Sequence, residues 1–351
     1  MKILAINPGS TSTKLALYED RELLFKESVE HSSEELEKYP TIASQYSMRK
    51  DHITDTLSRH GYSADMLSAV VGRGGLLPPV KSGAYEVNEE MADVLMNRPV
   101  LEHASNLGGL IAKDIADEAG IPAYIYDSVS VDELSDVARI TGLSEIVRTS
   151  QSHCLNMRAA AIKTAQEMGS AYTDMNLVVA HLGGGISLSA HRHGQMLDIV
   201  SDDEGPFSPE RSGRLPIKNF IKLCAQHDIN DIKKMVRGNG GLVSLLGTNS
   251  ALEVQKRIDS GDERARLVYE AMAYQIAKSI GELAVVLDGE VDAIVITGGI
   301  AYSEFITEYI KKKVSFIAPV KILPGENELE SLAFGAYRVL TGEEKAHIFA
   351  E

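Results

Sequence analysis

Short apolar runs closed by turn residues recur along the chain and predict strands at residues 3–6, 15–18 and 23–25, with Asp20-Arg21 turning between the last two. Residues 31–62 are polar with helical spacing over 52–60, and Gly61 is the stop. A strand at 69–71 ends in Gly72-Arg73-Gly74-Gly75, helices are predicted over 88–96 and 105–119, and a strand at 123–126 delivers Asp127. The same opening then returns: a strand at 176–180, His181-Leu182-Gly183-Gly184-Gly185, a strand at 186–190, a turn at Gly194 and a strand at 196–200. Aligning Asn7 with His181 also aligns Gly9 with Gly183 and Asp20 with Gly194, which reads as a duplicated domain. A cation in a rigid loop follows, Gly205 to Gly213 around Arg211. Then come a helix, a long buried helix at 263–287, a strand at 291–297 ending in Gly298-Gly299-Ile300, and a helix at 328–340. The repeat sets the domain junction near Ser150, and the domains are expected at 1–150 and 151–330.

Composition narrows this little. At 351 residues and 44% apolar, two domains with ample cores are expected, and Cys154 and Cys224 lack the spacing of a zinc site. Few cysteines, no run approaching the ~18 apolar residues of a membrane span and no cleavable leader after Met1 predict a cytoplasmic protein. A net charge of −15 opposes nucleic acid and anionic membrane as partners. A local glycine-and-cation site for ATP can still override so diffuse a field.

The chemistry concentrates in the opening stretch, Asn7-Pro8-Gly9-Ser10-Thr11-Ser12-Thr13-Lys14. Gly9 permits close backbone approach, the hydroxyls can donate to phosphate oxygens, and Lys14 supplies a point charge. A Walker loop would need Gly before the Lys and a helix after it, whereas Thr13 precedes Lys14 and β-prone residues follow. A plain polar hairpin stays open at this level. Arg73 and Asp127 stand at carboxyl ends of strands, where open α/β sheets bind ligands. An ion-paired Arg73, a helix-capping Asp127 and a core His181 are the structural alternatives. His52, His60, His191 and His193 read as solvated.

Asn7-x-Gly9-Ser10-Thr11-Ser12-x-Lys14 and His181-x-Gly183-x-Gly185-x-Ser187-Leu188-x-Ala190-x-x-x-Gly194 resemble both signatures of the acetokinase family, within the acetate and sugar kinase, heat-shock chaperone and actin superfamily. Gly72 to Pro78 and Tyr85 to Met91 resemble the branch acting on butyrate. The resemblance implies an α/β fold of two similar ribonuclease-H-like, actin-type domains, with mixed sheets flanked by helices and the nucleotide in the cleft between them. The first domain would be completed by residues 331–351. It implies a reversible, Mg²⁺-dependent transfer from ATP to a short-chain carboxylate, and a homo-oligomer. Asn7, Gly9, Ser10, Ser12, Lys14, His181, Gly183, Gly184, Gly185, Gly298, Gly299 and Ile300 would hold the nucleotide. Arg73, Asp127, Arg211 and His153 would be catalytic. Arg73, Gly75 and His103 would bind substrate, and Asn7, Asp127 and Glu330, with Glu328 close by, would bind the metal.

One departure stands out. In the run Arg148-Thr149-Ser150-Gln151-Ser152-His153, Thr149 occupies the position of the family's transition-state histidine, so His153, Arg148 or the two site arginines would take that task. A carboxylate is ionised at neutral pH and needs no base, so Asp127 is expected to serve the metal. Gly74 and Gly75, where acetate kinases carry Val-Val, are expected to open room for a longer acyl chain, unless a positive φ demands them. The other readings are acetate, propionate or branched-chain acid kinases, a sugar kinase, or an ATP-driven conformational protein of the chaperone or actin kind.

Overall fold

The strands run, in chain order, β1 (Lys2–Pro8), β2 (Ser12–Glu19), β3 (Glu22–Glu30), β4 (Ala69–Arg73), β5 (Ala84–Glu86) and β6 (Ala123–Tyr126), then β7 (Asn176–Leu182), β8 (Ile186–Arg192), β9 (Gln195–Val200), β10 (Ala293–Gly298), β11 (Val320–Pro324) and β12 (His347–Ile348). The structure, a computed structural model, describes residues 1–150 and 152–350, so Gln151 of the variant run lies outside the described residues.

The chain folds as two units, Met1–Asp132 with Asn327–Glu351, and Glu133–Glu326. These boundaries differ from the expected 150 and 330. Residues 133–150 attach to the second unit: the Ser135 amide donates to Leu197, and Arg148 pairs with Asp198 and Glu204. At the far end the first unit takes in Glu328.

In the first unit a seven-stranded sheet has the order β12-β5-β6-β4-β1-β2-β3. Strands β1, β4 and β6 are parallel neighbours, with Ile6 opposite Gly72 and Gly72 opposite Ile125, so Asn7, Arg73 and Asp127 leave the same edge. The interior of β1, Ile3 to Ile6, is fully buried on both faces, as its unbroken apolar run requires. Glycines let the helix Asn106–Ala119 approach this edge: a Cβ on Gly72 would meet the Gly108 carbonyl, and one on Gly108 would lie 2.6 Å from the Arg73 carbonyl oxygen. That helix ends at Gly120 in the left-handed region, φ 67°. The helix Glu328–Leu340 packs Gly335 against the Tyr126 ring, and Arg338 donates to the Tyr126 hydroxyl at 2.6 Å. Glu328 therefore starts beside the strand edge. The polar segment 31–62 is not one helix; Ser33–Leu36 and Tyr46–Arg59 are separated by residues that include Pro40.

The second unit repeats the plan with a five-stranded sheet, β11-β10-β7-β8-β9. The helix Glu263–Val286 buries Tyr269, Met272, Ala273 and Ile276 against it. The repeat extends to pairing irregularities: β2 against β3 shifts register at Leu17/Tyr18, and β8 against β9 at Ala190/His191. His191 corrects the expectation of a solvated residue. It is fully buried, because β8 is covered on both faces, and its ring nitrogens meet Tyr172 Oη at 2.7 Å and Ser189 Oγ at 2.6 Å. No helix among the described residues is long and apolar enough to cross a membrane.

Candidate active site

The turn after β1 is tied from beneath. Gly9 N–H donates to the Ser12 carbonyl at 2.7 Å, and Asn7 lies across from Lys14 in the β1–β2 pairing. Under the turn sits Arg49, whose side chain is wholly buried. It donates to the carbonyls of Ser10 and Ser12, each at 3.2 Å, and to Thr13 Oγ1 at 3.0 Å, while Gln45 accepts from it at 2.9 and 3.1 Å. Burial holds the Arg49 guanidinium below its usual pKa. It thus brings positive charge to the loop through the backbone. No sequence pattern marks Arg49; only packing places it there.

At the strand edge the glutamate that meets Asn7 is Glu328. Asn7 Nδ2 donates to Glu328 Oε2 at 2.5 Å, and Arg73 Nη1 forms an ion pair with Glu328 Oε1. Glu330, expected among the metal residues, stands two residues on, a turn of ~200° about the helix axis, and lies beside Tyr18. Burial, and then Glu330, push the Tyr18 phenol up to about 12. Asp127 has φ 42°, and it exchanges two hydrogen bonds with Gly83: Oδ1 accepts at 2.7 Å and its own N–H donates at 3.1 Å. It is 4% exposed and caps no helix. His103 Nδ1 accepts from the Ser105 N–H at 3.2 Å and meets its hydroxyl at 2.7 Å. Desolvation, and then the Arg73 charge, hold His103 below the usual histidine range.

Gly74 and Gly75 do not open a pocket, contrary to expectation, and neither adopts a positive φ. A Cβ on Gly75 would lie 2.6 Å from Asn106 Cα and 2.8 Å from Leu95 Cδ2, and one on Gly74 2.6 Å from Ser128 Cβ. The glycines let the loop lie flat against the start of the helix at Asn106, whose side chain accepts from the Leu76 N–H at 2.8 Å.

In the second unit His181 stands one residue before the end of β7, buried to 0% exposure. Its Nε2 lies 3.1 Å from Glu326 Oε1, and neither ring nitrogen makes a hydrogen bond among the described residues. His153 stacks on it at 4.2 Å and 22° between ring planes, and His153 Nδ1 meets Ser187 Oγ at 2.8 Å. Gly183 N–H donates to the Gly185 carbonyl at 3.0 Å, and Ser208 Oγ donates to the Gly184 carbonyl at 2.6 Å. Arg211 Nε donates to Asp202 at 3.0 Å, and a Cβ on Gly185 would lie 3.1 Å from that same carboxylate oxygen. The glycine turn and Arg211 are thus brought together. Gly298, at φ 91°, closes against the end of β7, where a Cβ would lie 2.7 Å from the Leu182 nitrogen. Gly299 and Ile300 open the turn that follows. Arg148 is fully engaged by Glu204, Asp198 and the carbonyls of Ala138 and Ile199, which leaves His153 as the one of the two that reaches His181.

The model of the Acetokinase family matches residues 144–343. Butyrate kinase 2 of Clostridium acetobutylicum is 49% identical over 349 residues, 98% of each chain. The probable butyrate kinase of Clostridium botulinum strain Alaska E43 is 47% identical over 99% of each. Among solved structures, Porphyromonas gingivalis acetate kinase superposes with a TM-score of 0.80 at 20% identity, covering 97% of this chain and 99% of that one. A propionate kinase from Francisella tularensis gives 0.70 at 18%, covering 95% and 98%. The architecture of mixed sheets flanked by helices is shared with these kinases.

Proposed function

The chain belongs to the acetokinase family, and on that premise we propose that it transfers the γ-phosphoryl group of ATP to butyrate, giving butanoyl phosphate and ADP, in a reversible reaction. Butyrate is the acid named for the relatives that match over the full length. The observation that carries the residue assignment is Arg73, whose guanidinium grips the Glu328 carboxylate at the edge where Asn7 and Asp127 also emerge. A fork that holds one carboxylate there has the geometry to hold a substrate carboxylate.

A butyrate oxygen attacks the γ-phosphorus in line, a P–O bond forms, and the bond to the β–γ bridging oxygen breaks with its electron pair leaving on ADP. With a pKa of about 4–5 the acid is already ionised at neutral pH, so the obstacle is the approach of two anions. Arg73 and Arg211 are assigned to offset that repulsion. His181 and the Gly183–Gly185 turn hold phosphates, supported by the buried ring nitrogens of His181, neither of which makes a hydrogen bond among the described residues. Ser10, Ser12 and Lys14 do the same from the first unit, and Gly298 to Ile300 take the adenosine. His153 positions His181 through its stack and supplies the imidazole missing at Thr149. His103, with Nδ1 accepting, carries its proton on Nε2 and can donate to the substrate carboxylate.

Asn7, Asp127 and Glu328 offer hard oxygen donors, a set that fits Mg²⁺. With its amide N–H on Glu328, Asn7 keeps its carbonyl oxygen for a cation. When bound, Mg²⁺ would screen the phosphate charge. The diffuse negative charge of the chain supports neither nucleic acid nor membrane as partner, and a cytoplasmic homo-oligomer is the form proposed.

A panel of acetate, propionate, butyrate, isobutyrate and valerate with ATP and Mg²⁺, trapping acyl phosphate with hydroxylamine, tests this. Butyrate should give the highest kcat/KM, with neighbours within ~15-fold per two methylenes, as apolar contacts discriminate weakly. ATP hydrolysis without any acyl hydroxamate would refute the assignment.

A further inference from the structure

We propose that His31, Glu35 and His52 form a second cation site on the first unit, suited to a late first-row divalent ion such as Zn²⁺ and distinct from the Mg²⁺ donors. His31 follows β3. Ser32 then caps the short helix Ser33–Leu36, accepting from the Glu35 N–H at 3.1 Å, which lifts Glu35 over His31; His52 arrives from the helix Tyr46–Arg59. Their three ligand atoms lie within 4.8 Å of one another. His31 Nδ1 is 3.4 Å from Glu35 Oε2, and His52 Nε2 is 3.2 Å from Glu35 Oε1. Tetrahedral Zn²⁺ with bonds near 2.0–2.1 Å separates its ligands by about 3.3 Å, so both pairs already stand at ligand spacing.

The independent observation is His31 itself. It is 4% exposed, and its Nδ1 has no hydrogen-bond partner among the described residues although it faces the Glu35 carboxylate. The other nitrogen, Nε2, meets Thr13 Oγ1 at 2.8 Å, an oxygen able to accept the second ring N–H of a metal-bound imidazole. Nδ1 faces the Glu35 carboxylate, and in the tautomer that carries its proton on Nε2 a cation would bond to both. The groups facing this imidazole are Glu35, His52, Arg49 and Thr13. Burial, and then the Arg49 charge, hold His31 below the usual histidine range. Two imidazoles and one carboxylate select late first-row ions over Mg²⁺. Thr13 also accepts from Arg49, which holds the Ser10 and Ser12 carbonyls, so an occupied site would brace the loop assigned to the nucleotide phosphates. That last consequence rests on the proposed role of the loop, whereas binding does not.

The full-length protein, stripped with chelator and kept in saturating Mg²⁺, is dialysed against Zn²⁺ and titrated with Co²⁺. Wild type should take up one Zn²⁺ per chain and give the intense visible spectrum of four-coordinate Co²⁺. His52→Ala should bind at least about 100-fold more weakly, since losing an outer-shell partner alone costs 10–100-fold, and Glu35→Gln should fall with it. More than a third of the His52 side chain is exposed, so its variant should keep the wild-type far-UV circular dichroism. Equal uptake by wild type and both variants, or no four-coordinate Co²⁺ spectrum in wild type, overturns the site. Site-specific uptake that leaves the KM for ATP unmoved overturns the bracing of the loop while the site itself stands.

Discussion

Arg73 forms its ion pair with Glu328, a residue from the other end of the chain, and both side chains are about one-fifth exposed. The pair is therefore accessible to solvent and exchangeable. Arg73→Ala should cut turnover by several orders of magnitude, because losing the charged partner of a bound substrate carboxylate costs ~3–5 kcal/mol. The thermal midpoint should barely move, since the freed Glu328 can be hydrated. Steady-state kinetics beside a melting curve decide it; near-native turnover would remove Arg73 from the site.

Glu328 and Glu330 give opposite expectations. Glu328→Gln should raise the Mg²⁺ concentration for half-maximal rate by about tenfold, the equivalent of ~1.4 kcal/mol. Glu330→Gln should leave that requirement unchanged, because its neighbour is Tyr18. A Mg²⁺ titration of both variants is sufficient.

Asp127→Asn is a near-isosteric test. Asn tolerates the left-handed backbone at φ 42° and keeps an oxygen for the Gly83 N–H. The Mg²⁺ requirement should rise while the pH–rate profile keeps its shape, since no base is needed. Loss of an acidic limb with normal Mg²⁺ dependence would make Asp127 a base.

Gly75→Val should lower acetate and butyrate turnover alike. The new side chain drives into Asn106 and Leu95, and overpacking of this kind costs about 1–3 kcal/mol. A lower melting temperature should accompany the loss. A selective fall in butyrate turnover would restore an open pocket at Gly75.

Acid sensitivity should have an identifiable source in His191. Burial, and then the Arg158 charge, push its pKa down from 6.5 to about 3. Below pH ~6.5 the unfolded chain takes up a proton that the folded chain refuses, so stability is full above that value. It then falls as the pH drops towards 3, by at most about 1.4 kcal/mol per pH unit. The melting temperature of His191→Gln should depend less steeply on pH across that window; an unchanged slope would clear His191.

Much of the site was legible from the sequence because it depends on local chemistry. Both hairpins, the residues at strand ends and the left-handed glycine turns follow from apolar runs, turn residues and backbone freedom, all of which act within a few positions. The helix Glu328–Leu340 could likewise be read from its periodicity. Which of its two glutamates faces Asn7 could not, because rotation about the helix axis is set by Gly335 packing on Tyr126. Gly75 looked like missing bulk and proved to be filled space, since only the approach of the helix at Asn106 shows what a Cβ would strike. His191, Arg49 and the His31–Glu35–His52 cluster were invisible for the same reason. Burial of a polar side chain, and its meeting with partners distant in sequence, are decided by how strands and helices stack, and no local pattern along the chain encodes that.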